Sequence, residues 1–548
     1  MAVALLDSAT AVSRRNVLMI TVDDLRPQLN HAYGMTQTLT PNLDKFSQGA
    51  TVFHRAYCQM AVCSPSRNSF MSGRRPDTTK VWNFINHFRE TDVGANWTSM
   101  PQYFKEHGYL TYASGKLYHP AKPPNNDFPT SWTVDPANSF YWGNQPPIGD
   151  AGGCTGTSAV EMAAVPASYG STMVCYTVDD AAALNDHDNR TAPQADQSAE
   201  YDHRLGTRTI EFISHAHSLG QPFFVGVGFR KPHLAWRMPR RFFEEYANHT
   251  IDLAAVQTIG EDVPILAYEM NGPMGQVYTK GEEKFRESPQ GPSLPVDLQR
   301  GLRHAYYAAV SFLDFEAGRV LDTLDNLGIA DNTVVMFHAD HGWKLGEHGD
   351  WSKCTNWELD ARVPFIIRAP FIPASIGQNT MAFAELIDMY PTLVELSGLP
   401  SVPASEGLQG TSLVPVLMNP AADAPHNKTN AFSQYPRCPE INMTVNPTAW
   451  ECLQTPKNKI TRMGFSVRVA SARYTEWRHW LPSCRADWTE QGLVAQELYD
   501  HTGDMGRSPA TFDNFEFVNL AHTDGSKVQV AQLSQLLREQ FANDGASC

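Results

Sequence analysis

The chain has 548 residues, with 43 Lys and Arg against 58 Asp and Glu and a formal net charge of −15. That balance excludes a general nucleic-acid-binding role, and an anionic ligand must be met by a local cluster of Lys, Arg and His because the overall field repels it. With 18% charged and 42% hydrophobic residues the composition excludes general disorder; no apolar run reaches the ~18–20 residues that span a bilayer, and the length allows a large core and two or more domains.

The first stretch, MAVALLDSATAVSRRN, has a short apolar start interrupted by Asp7 and no basic residue before it, so a signal peptide is not evident. Residues 16–22, NVLMITV, form a short apolar run between polar residues, the pattern of a buried strand in a parallel sheet. Asp23 and Asp24 follow at its carboxyl end, where open α/β sheets gather ligand-binding groups. A loop cap beside a solvated acid is the competing reading of that pair. TPNLDKFSQG reads as a helix with Thr40 as cap, Pro41 at its first position and Gly49 at its end, and ATVFHRAYC as a strand leading toward Cys63. In CSPSRNSFMSGRR, Pro65 suits a first helical turn and a helix over Asn68–Ser72 stops at Gly73. Unpaired N–H groups and the dipole at such a helix start favour an anionic sulfur on Cys63, and Arg67 can fold back over the same place as a donor fork. A plain buried cysteine near a helix start is the ordinary alternative.

The same grammar repeats downstream. Met100–His107 reads as a helix and Tyr109–Ser114 as a strand, with Lys116 and His119 in the GKLYHP that follows. Residues 121–200, rich in Pro, Gly, Asn and Asp, read as a long irregular insertion. A helix over Ala199–Leu219 leads to the strand PFFVGVGF, which ends in Arg230-Lys231-Pro232-His233; residues 239–300 are again loop-rich. Gln299–Asn326 carries the best helical period, with Leu302, Tyr306, Val310, Leu313, Val320 and Leu324. It feeds the strand NTVVMFHA, which ends in Asp340-His341-Gly342, and VPFIIRAP is one more buried strand. Strands alternating with helices imply a mostly parallel α/β sheet covered on both faces. From residue 456 the runs become short and alternating, GFSVRVASARYTEWRHW and VAQELYDH, before a helix over Val528–Phe541. That predicts a catalytic domain over 1–455 and a smaller α+β domain over 456–548, an antiparallel sheet with one helix packed on it.

Nine cysteines leave at least one unpaired, and Cys63 is the candidate; Cys154/Cys175 and Cys438/Cys452 each enclose loop-like sequence and could be local staples. Sequons at Asn96, Asn189, Asn248, Asn427 and Asn442, with possible disulfides, favour an extracytoplasmic protein, whether secreted, lysosomal or periplasmic.

Five strand ends thus offer polar groups to one edge of one sheet: Asp23-Asp24, the Cys63 loop, Lys116 with His119, His233, and Asp340-His341. Three carboxylates make a hard, oxygen-rich site for one divalent cation, with Ca²⁺ preferred over Mg²⁺ for its tolerance of a large, flexible cage. Plain surface is the minor alternative reading of Lys116 on its Gly-Lys turn.

Against this background TVDDLRP, CQMAVCSPSR with GRRPDTTKVW, SGKLYHP, FRKPH and ADHGWKLGEHGDWSK resemble the blocks of the type I sulfatases, in the order found in their iduronate-2-sulfatase branch. His341 stands where many members have Asn, as in that branch. The resemblance implies an alkaline-phosphatase-like fold and hydrolysis of a sulfate ester. It implies that a formylglycine-generating enzyme oxidises Cys63 to an aldehyde, which works as its hydrate. Arg67 would then orient the hydrate, Lys116 and Lys353 neutralise sulfate, His233 protonate the departing sugar oxygen, and His119 deprotonate the second hydroxyl. Asp23, Asp24, residue 63, Asp340 and His341 would hold the cation. His348 is left out as structural, and Trp343 is readable either as a sugar-stacking or a core residue. The expected partner is a sulfated saccharide attacked at a chain end, although 121–200 and 239–300 match no block and leave the sugar open. The runner-up is a phosphoester or phosphonate hydrolase of the same superfamily.

Overall fold

The computed structural model describes residues 14–135, 174–177, 197–234, 236–258, 260–269, 294–421, 428–438, 451–506, 514–542 and 548. Seven apolar runs pair into one sheet: β1 (Asn16–Val22), β2 (Thr51–Tyr57), β3 (Leu110–Gly115), β4 (Phe223–Phe229), β5 (Thr333–Ala339), β6 (Phe365–Arg368) and β7 (Gln378–Glu385), in the order β7-β2-β6-β5-β1-β4-β3. Every residue of β1, β4 and β5 is buried. With helices on both faces there is no solvent side to select polar residues, so these strands read as continuous apolar runs. β1 lies between β4 and β5, parallel to both, with Met19 opposite Gly226 on one side and Met336 on the other. Only β6 runs antiparallel to its neighbours, β2 and β5. The central ligand-bearing strands therefore all point their carboxyl ends the same way.

Around the sheet stand α1 (Pro41–Gln48), α2 (Cys63–Ser72), α3 (Gln197–Ser218) and α4 (Val296–Asn326). Thr40 occupies the cap position of α1, but its hydroxyl donates to the Asp44 carboxylate at 3.0 Å instead of capping. The orphan N–H groups of Asn42 and Leu43 donate to Asp314 of α4, at 3.2 and 2.7 Å, so a tertiary contact supplies the cap. Leu302, Tyr306, Val310, Leu313, Val320 and Leu324 of α4 are all buried, as their period requires.

A second sheet comprises β8 (Asn430–Arg437), β9 (Arg462–Val469), β10 (Ala472–Leu481) and β11 (Leu493–Asp500), all antiparallel, with Arg485–Ala486 on the far end of β10. Helix α5 (Lys527–Phe541) packs Leu533, Leu537 and Phe541 onto it, Phe541 lying 4.6 Å from Phe465 between ring centroids. The first strand of this sheet precedes residue 456, so the sheet begins earlier in the chain than the expected boundary at 455. Cys438 and Cys452 are bonded, as are Cys484 and Cys548, while Cys58, Cys63 and Cys354 are free and buried. Cys63 is thus one of three unpaired thiols among the described residues. The expected Cys154/Cys175 staple lies outside the described residues. No described helix is long and apolar enough to cross a membrane.

Candidate active site

The sheet ladder itself aims the acids. Just beyond β1, the Asp23 N–H donates to the Phe229 carbonyl at 3.2 Å; just beyond β5, the Asp340 N–H donates to the Val22 carbonyl at 3.1 Å. Asp24 then turns into the left-handed region at φ 61°, a conformation Asp tolerates better than most residues. Two contacts hold it there. Its N–H donates to Asp340 Oδ1 at 3.3 Å, and the buried Tyr306 hydroxyl donates to its carbonyl at 2.8 Å while accepting from the Arg26 N–H at 3.1 Å.

The helix carrying Cys63 begins five residues earlier than its sequence suggests, with Cys63 as the first residue of α2. Pro65 sits in the first turn, where its missing N–H costs nothing. The Ser66 hydroxyl donates to the Asp340 carbonyl at 2.5 Å, pinning the helix to the end of β5. Arg67, fully buried, donates to Asp340 Oδ2 at 2.9 Å and meets Asp23 Oδ1 at 3.3 Å. Its guanidinium also donates to the Lys116 and Leu117 carbonyls. The expected donor fork is there, directed at two acids and two carbonyls.

Four groups converge on the Cys63 sulfur. Asp23 Oδ1, His341 Nε2 and Lys116 Nζ lie 3.4 Å away, and Lys353 Nζ 3.3 Å. Lys116 also pairs with Asp23, and Lys353 with Asp24 at 2.6 Å. Lys116 arrives by a close approach: its N–H donates to the Gly228 carbonyl at 2.8 Å, and a Cβ on Gly228 would stand 2.2 Å from the Lys116 carbonyl. His341 uses Nδ1 on the Gly342 carbonyl at 3.0 Å, which turns Nε2 toward Asp24 (3.5 Å) and Asp340 (3.4 Å). His233 has its Nδ1 on the Leu234 carbonyl and presents Nε2 3.9 to 4.0 Å from Asp24 and Asp23. Asp202 of α3 sets that loop by accepting the Arg230 and Lys231 N–H groups at 2.9 and 2.8 Å. His119 stacks on Phe84, 4.5 Å between centroids.

Burial drives the electrostatics. It pushes the Asp24 carboxyl up to about 7 and Asp340 up to about 6, against Lys353 and Arg67 respectively. Asp23 goes the other way: burial opposes it, but Lys116, His233, Arg67 and Lys353 hold it well below the usual range. Burial, reinforced by Asp23, pushes the Cys63 thiol up to about 12, which reverses the expectation of an anionic sulfur at the helix start. All three site histidines are held well below the ordinary imidazole value, first by burial and then by the lysines.

The donor set fits a hard divalent cation. Ligand atoms of Asp23, Cys63, Asp340 and His341 all lie within 4.8 Å of one another, as do those of Asp23, Asp24, Cys63 and His233. Asp24 Oδ2 is buried without a hydrogen bond, and Asp24 and Asp340 are acids that burial makes reluctant to ionise. A cation would use that oxygen and stabilise all three carboxylates.

The Sulfatase family model matches residues 15–399. The chain belongs to the sulfatase family. It is a sulfuric ester hydrolase, and it groups with the iduronate 2-sulfatase branch. It is 32% identical to the mouse (Mus musculus) iduronate 2-sulfatase, covering 94% of each chain, and 33% identical to the human (Homo sapiens) protein, covering 84% of each. A sulfatase of Formosa agariphila is 30% identical over 72% of this chain and 71% of its own. Among solved structures the sulfatase resembles a phosphonate monoester hydrolase from Silicibacter pomeroyi, with TM-score 0.67, 20% identity, and 97% and 96% of the chains covered. A protein solved with D-glucosamine-2-N,6-O-disulfate gives TM-score 0.66 and 17% identity, covering 97% and 99%. These structural likenesses establish the alkaline-phosphatase-like fold.

In this sulfatase every expected site residue falls at the carboxyl edge of the large sheet or beside it. His348 lies apart, buried against Trp357 and Phe517, as a structural residue would. Trp343 is 1% exposed and packs against Trp236 in the core, with the Lys353 ammonium 5.6 Å above its ring. It is therefore a floor under Lys353 and has no free face for a sugar. Ser66 and Tyr306 escaped sequence reasoning because a hydroxyl on an ordinary helical period carries no signal until the fold brings it to a ligand.

Proposed function

We propose that this sulfatase cleaves the sulfate ester of a sulfated saccharide with a formylglycine made from Cys63. The observation that carries the reading is the state of the encoded side chain. A thiol held protonated to about 12 is a poor nucleophile, although four polar groups converge on it. The Cys63 sulfur of this structure marks the place that oxygen takes in the mature protein. A formylglycine-generating enzyme, working with an external two-electron oxidant, converts the Cβ to an aldehyde and releases the sulfur as sulfide, and water adds to give two hydroxyls on one carbon.

One hydroxyl gives up its proton to solvent and attacks sulfur while the bond to the sugar oxygen breaks, leaving a sulfate ester on residue 63. Lys116 and Lys353 neutralise the sulfate oxygens, and Arg67 orients the hydrate. His233 gives its Nε2 proton to the departing sugar oxygen. It is held neutral in the empty site, and the charge of an arriving sulfate is what lets it take up that proton. His119, kept neutral by burial, is suited to act as the base. It takes the proton of the second hydroxyl, the ester bond breaks, sulfate leaves and the aldehyde returns. A divalent cation held by Asp23, Asp24, residue 63, Asp340 and His341 would supply positive charge to the sulfate and acidify the hydrate. Ca²⁺ suits this set better than Mg²⁺, which demands a tighter octahedron.

The iduronate 2-sulfatase relatives support a 2-O-sulfated uronate at a chain end as substrate, with galactose- or fucose-based polysaccharides as the alternative. Two disulfides and exposed sequons at Asn96 and Asn248 support an extracytoplasmic location. Mass spectrometry of the peptide containing residue 63 tests the reading, together with turnover of an aryl sulfate against an aryl phosphonate. Full activity with an intact thiol would sink the mechanism; preference for the phosphonate would sink the substrate class. His233→Ala is expected to slow a sugar sulfate far more than an activated aryl sulfate, whose leaving group needs no proton.

A further inference from the structure

Lys344 lies in the ADHGWKLGEHGDWSK block, and no step above uses it. It is fully buried and opens a small hairpin, Lys344–Leu345 paired with Trp351–Ser352. Its ammonium pairs with the Asp360 carboxylate and donates to the Lys353 carbonyl at 3.3 Å, with Asp350 Oδ2 3.7 Å away. The same Asp360 oxygen accepts from the Thr355 N–H at 3.0 Å and the Thr355 hydroxyl at 2.6 Å. The Asp360 carbonyl accepts the Gly342 N–H at 2.7 Å, one residue from His341. One ion pair therefore braces both ends of the loop that carries His341 and Lys353.

The segment needs such a brace. Lys353 stands between two residues in left-handed backbone, Ser352 at φ 76° and Cys354 at φ 81°. Side-chain-bearing residues persist in that conformation only where their surroundings impose it. The next carbonyl along, that of Cys354, is gripped at 2.7 Å by Arg437 of β8. Two successive carbonyls thus lie on two buried cations, and the Lys353 side chain departs from between them to Asp24 and Cys63.

We propose that Lys344, paired with Asp360, is a positioning residue that fixes the Lys353 ammonium at the reacting centre. A buried lysine is an expensive way to fill space, since apolar groups of similar volume usually do as well. What it adds is a rigid, directed hold on a carbonyl, and a displacement of about 1 Å at a reacting group can cost ~10²-fold in rate. The inference rests on the reading of Lys353 as a sulfate-neutralising residue.

A double-mutant cycle on the full-length, metal-loaded enzyme tests it, with kcat on a chromogenic aryl sulfate and the thermal midpoint read for each variant. Lys344→Met is expected to lower kcat by roughly 10- to 100-fold, but by less than about twofold when Lys353 is already Ala, because there is then no ammonium left to misplace. The midpoint shift should be the same in both backgrounds. Equal losses of kcat in both backgrounds, or no loss in the first, would overturn the proposal. A native kcat in Lys353→Ala alone would instead remove the underlying reading of Lys353. If Lys344→Met does not accumulate as folded protein, Lys344→Met/Asp360→Leu, which deletes both charges together, goes through the same cycle with the same outcomes.

Discussion

Two buried charge clusters lie about one loop apart in this sulfatase, and similar residue types do opposite things in them. At the junction with the small sheet, Glu358, Asp504 and Glu516 meet Arg468, Arg473 and His501. Arg473 bridges Glu358 at 2.5 Å and Glu516 at 2.7 Å, Arg468 takes Glu358 at 3.1 Å and Asp504 at 3.0 Å, and His501 lies between Asp504 and Glu516 at 3.0 and 3.1 Å. Burial works against the Glu358 charge, yet Arg468 and Arg473 hold its carboxyl well below the ordinary range. Around Cys63, by contrast, burial leaves Asp24 near 7 and Asp340 near 6, and one Asp24 oxygen has no hydrogen bond. Planar guanidinium forks and one imidazole pair every carboxylate of the first cluster. In the second, two flexible lysines and one arginine leave an acceptor over, which is what a site for a cation and an anionic ester requires. Glu358, His501 and Glu516 have the composition of a metal site, but Arg473 already occupies the centre between the two glutamates.

The largest test of this contrast is removal of a carboxylate from the cluster around Cys63. Asp24→Ala or Asp340→Ala should abolish bound divalent metal and lower kcat by roughly 10³-fold or more. In chelator-treated protein the melting point should fall less than it does when an arginine of the other cluster is removed, because burial already leaves Asp24 and Asp340 reluctant to ionise. Metal analysis, turnover and melting curves check it; stoichiometric metal with a normal rate counts against the ligand set.

Arg473→Met should do the reverse. Leaving Glu358 and Glu516 buried without their shared cation should cost about 3–5 kcal/mol in denaturant unfolding, while the folded fraction keeps its metal. Wild-type stability in this variant would show that the junction is ornamental.

The same network predicts the acid limb of stability. The folded Glu358 carboxyl binds its proton more weakly than the unfolded one, so its contribution is complete above the unfolded value of about 4.3. It is lost as pH falls through the lowered folded value. Unfolding free energy should fall with decreasing pH in that window, and Glu358→Gln should flatten the slope.

The smallest effect is expected at Tyr306. Tyr306→Phe removes both hydrogen bonds that flank left-handed Asp24 and should cost about 1 kcal/mol of stability. Its signature should be a roughly tenfold weaker metal affinity, the usual scale for a residue supporting a ligand. Unchanged affinity by metal titration would mean that Asp340 alone holds Asp24.

How much of this was written in the chain depends on the range of the interaction. NVLMITV, PFFVGVGF and NTVVMFHA are legible as central strands because burial on both faces demands uniform apolarity. The acids, lysines and histidines that follow such strands are legible as a site because parallel strands deliver their ends to one edge. FIIR reads as a strand, but its antiparallel direction is set by how the chain returns after residue 340, which local pattern does not encode. NAFSQYPR, with Pro436 and Arg437 at its end, does not look like a strand at all. It is stabilised by pairing with β9, and Arg437 is spent on the carbonyls of Leu266, Tyr268 and Cys354. The Cys484–Cys548 bond and the Lys344–Asp360 brace are likewise properties of the folded arrangement.

Cys63 is 2% exposed, and the stretch that leads to it is held by residues from far along the chain. The Cys58 N–H donates to the Ala361 carbonyl at 2.8 Å, and the Gln59 carbonyl accepts the Gln434 N–H at 2.9 Å. The backbone leading to residue 63 is therefore free of these contacts until that later sequence has been made and docked. Some 370 residues separate Cys63 from Gln434, and synthesis at about 5–20 residues per second takes roughly 20–70 s to cover them. On the formylglycine reading, a modifying enzyme that takes this stretch as an extended chain has that interval in which to act. Faster translation or scarcer modifying enzyme would yield correctly folded, permanently inert molecules, so specific activity records the race between synthesis and modification as much as the quality of the fold.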